Sequence, residues 1–147
     1  MFPLVEDPTK KIWYIADKEV FKAPTLRPNL NVQQVEPDDL HLVQKCIDLF
    51  NSEIQWAGMF NVEEAKHRFQ KNNLMFVLKE TNNVLGYVWF DNNYLYNMFV
   101  SKKRIHGDSH DFCNYVCYHV GKDIRLYCVK DNIKGQKFFE KVGFLKI

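Results

Sequence analysis

Met98-Phe99-Val100-Ser101-Lys102-Lys103-Arg104-Ile105-His106-Gly107-Asp108-Ser109 joins an apolar run to a helical one through a basic loop that contains a glycine. Residues 94–101 are rich in aromatic and β-branched side chains, the composition of a strand. From 108 to 120, Phe112, Cys113, Val116, Cys117 and Val120 recur at helical spacing. A helix that begins there turns its unpaired backbone N–H groups and the positive end of its dipole toward the loop, which makes a ready anion site. Gly107 lets the backbone approach a ligand closely. Taken alone, the same pattern also describes an ordinary solvated loop.

The flanking sequence supplies the frame. Downstream, residues 124–129 read as a strand, and 133–142 as a helix that turns Phe138, Phe139 and Val142 inward and stops at Gly143. Upstream, 74–80, 85–91 and 94–101 form a meander of three strands, with Asn82-Asn83 and Asn92-Asn93 suited to its tight turns. Before it come a short strand at 31–35 and a helix over 37–50 with Leu40, Val43, Ile47 and Phe50 inward. A second helix runs from Asn61, with Val62, Ala65 and Phe69 on one side, to Asn72-Asn73. Residues 1–30 hold four of the five prolines around the strand-like Ile12-Trp13-Tyr14-Ile15, an N-terminal arm or hairpin ahead of a domain over 31–147. Helices interleaved with a mostly antiparallel sheet predict an α+β or mixed α/β fold with about four helices.

The spacing across 85–144 resembles that of the GNAT (general N-acetyltransferase) superfamily. Leu85-Gly86-Tyr87-Val88 is similar to its third strand and Met98-Phe99-Val100 to its fourth. Arg104-x-x-Gly107-x-Ser109 resembles its pyrophosphate loop, Arg or Gln-x-x-Gly-x-Gly or Ala. Leu126-x-Cys128-x-x-x-Asn132-x-x-Gly135-x-x-Phe138-Phe139-x-x-x-Gly143-Phe144 resembles its closing signature. The resemblance implies a GNAT-like acyl-CoA N-acyltransferase fold whose fourth and fifth strands splay apart. The pantetheine arm of acetyl-CoA would lie in the gap like an added strand. It implies that Phe99 and Val100 offer backbone groups to that arm, and that the N–H groups of Arg104, Ile105, His106, Gly107, Asp108 and Ser109 hold the pyrophosphate. Asn132 and Phe139 would line the thioester end. The implied reaction is acetyl transfer from acetyl-CoA, as co-substrate, to a primary amine in a direct ternary complex, with a backbone N–H near Phe99 or Val100 steadying the oxyanion. The alternative is a non-catalytic module that binds acetyl-CoA or another protein on the same fold.

Several positions depart from the family pattern. Ser109 stands where Gly or Ala is usual, and Asp108 where an apolar residue is usual; a carboxylate there could cap the helix amides and repel phosphate. Phe139 occupies the place of the tyrosine that protonates the departing thiolate. The strand start Tyr94-Leu95-Tyr96-Asn97 lacks the carboxylate that many members use as a base. The acid–base work lost with these groups is typically about 10²- to 10⁴-fold, so turnover is slowed and not forbidden. Tyr96 and Asn97, with Tyr94 nearby, would act by ordering a water that accepts the amine proton.

Composition narrows the remaining classes. The chain has 147 residues, enough for one domain, and 46% hydrophobic residues, enough for a core. Its 20 basic and 18 acidic residues are spread evenly, with Lys102-Lys103-Arg104 the one notable basic cluster, so no nucleic-acid footprint emerges. No apolar run is long enough for a membrane helix and the N-terminus lacks the marks of a signal peptide, so a cytoplasmic protein is expected. Cys46, Cys113, Cys117 and Cys128 fall in apolar stretches and read as buried free thiols. His106, His110, Cys113 and Cys117 have ligand-type spacing, but one helix aims only about two such side chains at an ion, so no metal is expected. Cys46, His41 and His67 lack any feature that joins them as nucleophile and base. Trp56-Ala57-Gly58-Met59-Phe60 resembles the family's acceptor wall and hints at an apolar or aromatic acceptor. Family members continue past Gly-Phe with two more strands, whereas this sequence runs to Ile147. The expectation is that the N-terminal arm covers the edge so exposed, in the same subunit or a homodimer. The acceptor side would stay open to a small molecule, peptide or protein amine.

Overall fold

The structure, a computed structural model, describes residues 10–23, 25–36, 38–54 and 73–147. Seven strands, β1 (Lys11–Ala16), β2 (Leu30–Gln34), β3 (Asn73–Glu80), β4 (Asn83–Asp91), β5 (Tyr94–Val100), β6 (Ile124–Val129) and β7 (Leu145–Lys146), form one sheet in the order β2-β3-β4-β5-β6-β1-β7. Three described helices accompany it: α1 (Leu40–Glu53), α2 (Asp108–Val120) and α3 (Ile133–Val142). The helix expected over 61–72 lies outside the described residues. Every strand pairing is antiparallel except β5 with β6. This is the mixed, mostly antiparallel sheet that the sequence predicts.

The helices divide between the two faces. On one face, Val43, Cys46, Ile47 and Phe50 of α1 pack on Met75, Val77, Tyr87, Trp89 and Phe99. On the other, Phe112, Cys113, Val116 and Cys117 of α2 pack on Tyr14, Leu78, Val88, Phe90 and Leu126, and α3 adds Val142. The meander strands β3 and β4 are therefore buried on both sides, which explains their near-continuous apolar runs.

Local chemistry sets the helix ends. Helix α1 starts at Leu40 and not at 37, because the Asp39 carboxylate accepts the Leu42 N–H at 3.1 Å and fixes the cap there; it continues past Phe50 to Glu53. Helix α3 begins where the Asn132 Oδ1 accepts the Gly135 N–H at 3.0 Å. It ends at Gly143 (φ 127°), with the Phe144 N–H returning to the Phe139 carbonyl at 3.0 Å. The β3–β4 turn differs from expectation. Thr81 (φ 56°) takes the left-handed position, its amide held by the Asn29 carbonyl at 2.8 Å, and Asn83 joins β4 opposite Glu80. In the β4–β5 turn, Asn92 (φ 54°) serves as expected.

Strand β1 lies along the whole of β6, from Lys11 opposite Val129 to Ala16 opposite Ile124, and pairs on its other side with β7. The N-terminal arm thus fills the edge beside β6 within the same chain. Side chains continue the attachment. The buried Tyr14 hydroxyl donates to Glu140 Oε2 of α3 at 2.7 Å, the Lys18 amide donates to Asp123, and Lys22 and Asn114 exchange two hydrogen bonds.

Candidate functional site

Strands β5 and β6 meet at one residue pair, Tyr94 with Arg125, where the Arg125 amide also donates to the Asn93 carbonyl at 3.1 Å. Beyond that pair no ladder joins them, so the two strands form a fork closed at Tyr94 and open toward Val100 and Val129. A bulge lies inside the fork. Trp89 pairs with Asn97 and Phe90 with Leu95, which leaves Tyr96 as the extra residue on β5. The bulge exchanges the faces of the sheet: Leu95 belongs to the α2 side, whereas Asn97 and Phe99 lie on the α1 side.

Hydrogen-bond alternation decides which β5 groups face the gap. The Ser101 N–H donates to the Leu85 carbonyl at 2.8 Å, so Ser101 and, by alternation, Phe99 turn their backbone groups to β4. Those of Met98 and Val100 point toward the open edge. The Val100 backbone groups thus face the gap together with those of Met98, whereas the Phe99 backbone, expected there, is committed to the β4 ladder. The Phe99 carbonyl lies so close to β4 that a Cβ on Gly86 would sit 2.5 Å from it. Arg104 Nη1 reaches back toward the Val100 carbonyl at 3.4 Å and the Ser101 carbonyl at 3.1 Å.

At the mouth of the fork, Glu53 at the end of α1 accepts from the Ser101 hydroxyl and, at 2.9 Å, from the Lys102 amide. The loop amides divide into two groups. The Arg104 N–H bonds the Ser101 carbonyl, the Asp108 N–H bonds the Ile105 carbonyl, and the Ile105 N–H bonds Asp108 Oδ2 at 2.9 Å. These three cannot serve an anion as the sequence suggests, because the protein itself satisfies them. No described acceptor takes the amides of His106, Gly107, Ser109 and His110. They cluster at the N-terminus of α2, where Gly107 adopts φ 96°.

Asp108 does not face the loop mouth. Its side chain is 3% exposed and receives a two-pronged contact from Arg27, Nε to Oδ1 at 2.9 Å and Nη2 to Oδ2 at 3.0 Å; Arg27 also holds Glu80 at 2.9 Å. The Arg27 guanidinium, with the Ile105 amide, holds the Asp108 carboxyl below the usual aspartate range against the opposing effect of burial. The charge that threatens a bound phosphate is thus paired with a cation from the N-terminal arm. Sequence reasoning missed Arg27, since 81 residues separate the partners.

The other expected site residues occupy distinct environments. Asn97 is 2% exposed; its Nδ2 donates to the Tyr87 hydroxyl at 3.1 Å, while its Oδ1 meets no donor among the described residues. The Tyr96 ring stands edge-on to Trp89 at 6.3 Å and to Tyr94 at 6.4 Å. Asn132 is the cap of α3, and a Cβ at Gly135 would meet its amide at 2.5 Å, so a capping turn accounts for the Asn-x-x-Gly spacing. Phe139 is half-buried, edge-on to Phe138 at 5.0 Å and to Phe144 at 5.6 Å. Ser109 is partly exposed beside the free amides, and His106 is exposed.

The cysteines are buried free thiols. Burial pushes Cys46 up to about 12 and Cys128 to about 11, and raises Cys117, which contacts Cys113, well above its ordinary value. Cys46, Cys117 and Cys128 therefore stay protonated at neutral pH. His41 is exposed, and His67 and 56–60 lie outside the described residues. Among the described residues no three His, Cys, Asp or Glu side chains gather as a metal site, and no helix is long and apolar enough to cross a membrane.

No family model matches the sequence, and no curated protein matches it significantly. Solved structures do match. A Drosophila protein superposes with a TM-score of 0.70 at 11% identity over 93% of this chain and 47% of its own, so the chain spans about half the length of that neighbour. An aminoglycoside acetyltransferase from an uncultured soil metagenomic sample gives 0.62 at 15% identity over 81% of this chain and 90% of its own. A Salmonella typhimurium acetyltransferase that modifies the N-terminal serine of ribosomal protein L7/L12 gives 0.58 at 14% identity, over 79% and 80%. Likeness at this level of identity speaks to architecture, and the chain has the fold of the GNAT acetyltransferases.

Proposed function

We propose that the protein transfers an acetyl group from acetyl-CoA to a primary amine by direct attack within a ternary complex. The observation that carries this reading is the fork. β5 leaves β6 after a single residue pair and turns the backbone groups of Met98 and Val100 into the gap, where an extended amide chain can pair with them as an added strand. At the mouth, the amides of His106, Gly107, Ser109 and His110 and the Arg104 guanidinium would take the pyrophosphate. Asn132 and Phe139 would border the thioester end.

The amine nitrogen attacks the thioester carbonyl carbon, the C–S bond breaks, coenzyme A leaves as its thiolate, and the amine proton passes to water. The buried Asn97 Oδ1, an acceptor that no described donor satisfies, supports a role with Tyr96 in ordering that water. Phe139 has no proton to give, so the thiolate departs unassisted and the rate falls below that of an enzyme with a general acid there. The same residue favours a second reading, a module that binds acetyl-CoA without turning it over. Structural neighbours include one named for aminoglycosides and one that modifies a protein N-terminus, so the acceptor panel spans both kinds of amine.

Calorimetry with acetyl-CoA, followed by thiol release over that panel, tests the proposal. Saturable binding with amine-dependent thiol release is the expected outcome. Binding without release selects the module, and absence of binding overturns both readings.

A further inference from the structure

The face of β1 and β6 opposite α2 and α3 carries side chains that the coenzyme reading does not use. Tyr14, Ala16, Leu126 and Cys128 face the core, so Lys11, Trp13, Ile15, Arg125 and Tyr127 alternate onto the other face. There they form a cluster. Trp13 lies 5.3 Å from the Tyr127 ring and 6.0 Å from that of Tyr94, and the Tyr94 and Tyr127 rings stack at 6.3 Å. The Arg125 guanidinium stands 5.5 Å from the Tyr94 ring and 5.9 Å from the Trp13 ring, with the Lys11 ammonium 4.7 Å from Tyr127. Beside this cluster is a hollow of about 600 Å³ lined chiefly by Lys11, Trp13, Ile15, Arg125, Lys146 and Ile147.

The lining pairs exposed apolar surface, Ile15 at 39% and Ile147 at 77%, with three cationic side chains and no acidic side chain. None of the three cations has an ion-pair partner among the described residues. The volume lies in the range of small-molecule sites, about 300–1,000 Å³, which combine apolar walls with a few convergent polar groups. Rings that already hold Arg125 fix its guanidinium in place before any ligand arrives.

We propose that this hollow binds a small aromatic carboxylate. The ring rests against Trp13, Ile15 and Ile147, and the carboxylate takes a charge-assisted contact from Arg125, supported by Lys11 and Lys146. The charges select an anion, and the apolar wall selects against a bare one. The site adjoins the fork at its closed end, since Arg125 is the β6 residue paired with Tyr94. Its occupancy does not depend on acetyl-CoA.

The test titrates the full chain, without acetyl-CoA, with 3-phenylpropanoate, its uncharged amide 3-phenylpropanamide, and inorganic phosphate. Binding is followed by calorimetry and by the Trp13 indole N–H resonance, which the loss of a signal in Trp13→Phe identifies. The expected result is saturable binding of the carboxylate that moves the Trp13 signal, with the amide weaker by about tenfold or more. Arg125→Ala and Lys146→Ala should each weaken carboxylate binding severalfold while leaving the amide's weak binding unchanged; both residues are exposed, and an unchanged melting temperature verifies the fold. Equal binding of carboxylate and amide overturns the proposal. So does an equal response to phosphate, which marks a general anion patch, and so does the absence of saturation through the millimolar range.

Discussion

A carboxylate in the first turn of a helix competes with any anionic ligand for the same amides, so the direction of Asp108 decides how the loop before α2 behaves. Here it turns inward, takes the Ile105 amide, and is neutralised by Arg27. Replacing Asp108 by Asn removes the charge from a nearly buried pair and should lower stability at pH 7 by about 1–3 kcal/mol, toward the lower figure because Arg27 remains a quarter exposed. The pH dependence has a definite sign. The folded carboxyl titrates below the unfolded aspartate value of about 3.9, so its contribution is complete above that pH and is lost as pH falls through the lower folded value. Chemical denaturation at a series of pH values should therefore show wild type and Asp108→Asn converging below about pH 4; a gap that persists there would refute this account. Nothing near Asp108 in sequence announces the pair. The composition of 104–109 reveals a basic glycine loop, while the partner that decides its electrostatics sits in an irregular stretch between β1 and β2.

Strand β5 is the element on which the fork depends, and it is held to β4 more tightly than an ordinary ladder requires. A Cβ on Gly86 would lie 2.5 Å from the Phe99 carbonyl and 2.9 Å from the Val100 Cα, both backbone atoms that cannot rotate away. Gly86→Ala should push β5 toward the gap, costing on the order of 1–3 kcal/mol by the usual scale of overpacking, and should weaken acetyl-CoA binding by more than a change in the distal turn does. Calorimetry and melting of Gly86→Ala beside Asn82→Ala check this; equal coenzyme affinity in the two would detach the Gly86 contact from the fork. The elements between residues 100 and 143 were legible because period and cap agree: α2, β6 and α3 begin and end where the pattern places them, with Gly143 closing the last helix, whereas the two-residue β7 after it was not. The bulge at Tyr96 was not. A strand with one extra residue has the same composition as one without, and only the partner's register shows that Leu95 and Asn97 lie on opposite sides of the sheet.

At the scale of the molecule, the N-terminal arm is a structural part of the sheet. Ile12-Trp13-Tyr14-Ile15 reads as a strand from composition alone, but composition carries no information about which edge it joins. The pairing shows the reason for its pattern: Tyr14 and Ala16 enter the core beneath α2 and α3, and the intervening residues face the opposite side. The contact therefore works through burial as well as through the ladder, and β7 reaches the sheet only through β1. Removing residues 1–28 would leave the full length of β6 without its antiparallel neighbour, uncover apolar surface beneath α3, and strip Arg27 from Asp108. The truncated chain should aggregate or melt far below the parent, read by light scattering on a sizing column and by thermal denaturation. Tyr14→Ala gives a graded version of the same test. It keeps the strand but opens a cavity at a fully buried ring and removes the bond to Glu140, for a loss of about 3–5 kcal/mol. Tyr14→Phe, which removes the hydroxyl alone, should cost no more than about 1–2 kcal/mol. If the truncated chain were a stable monomer with an unchanged melting temperature, β1 would be an ornament on the sheet, and the fork would have to be held open by β3, β4 and the helices alone.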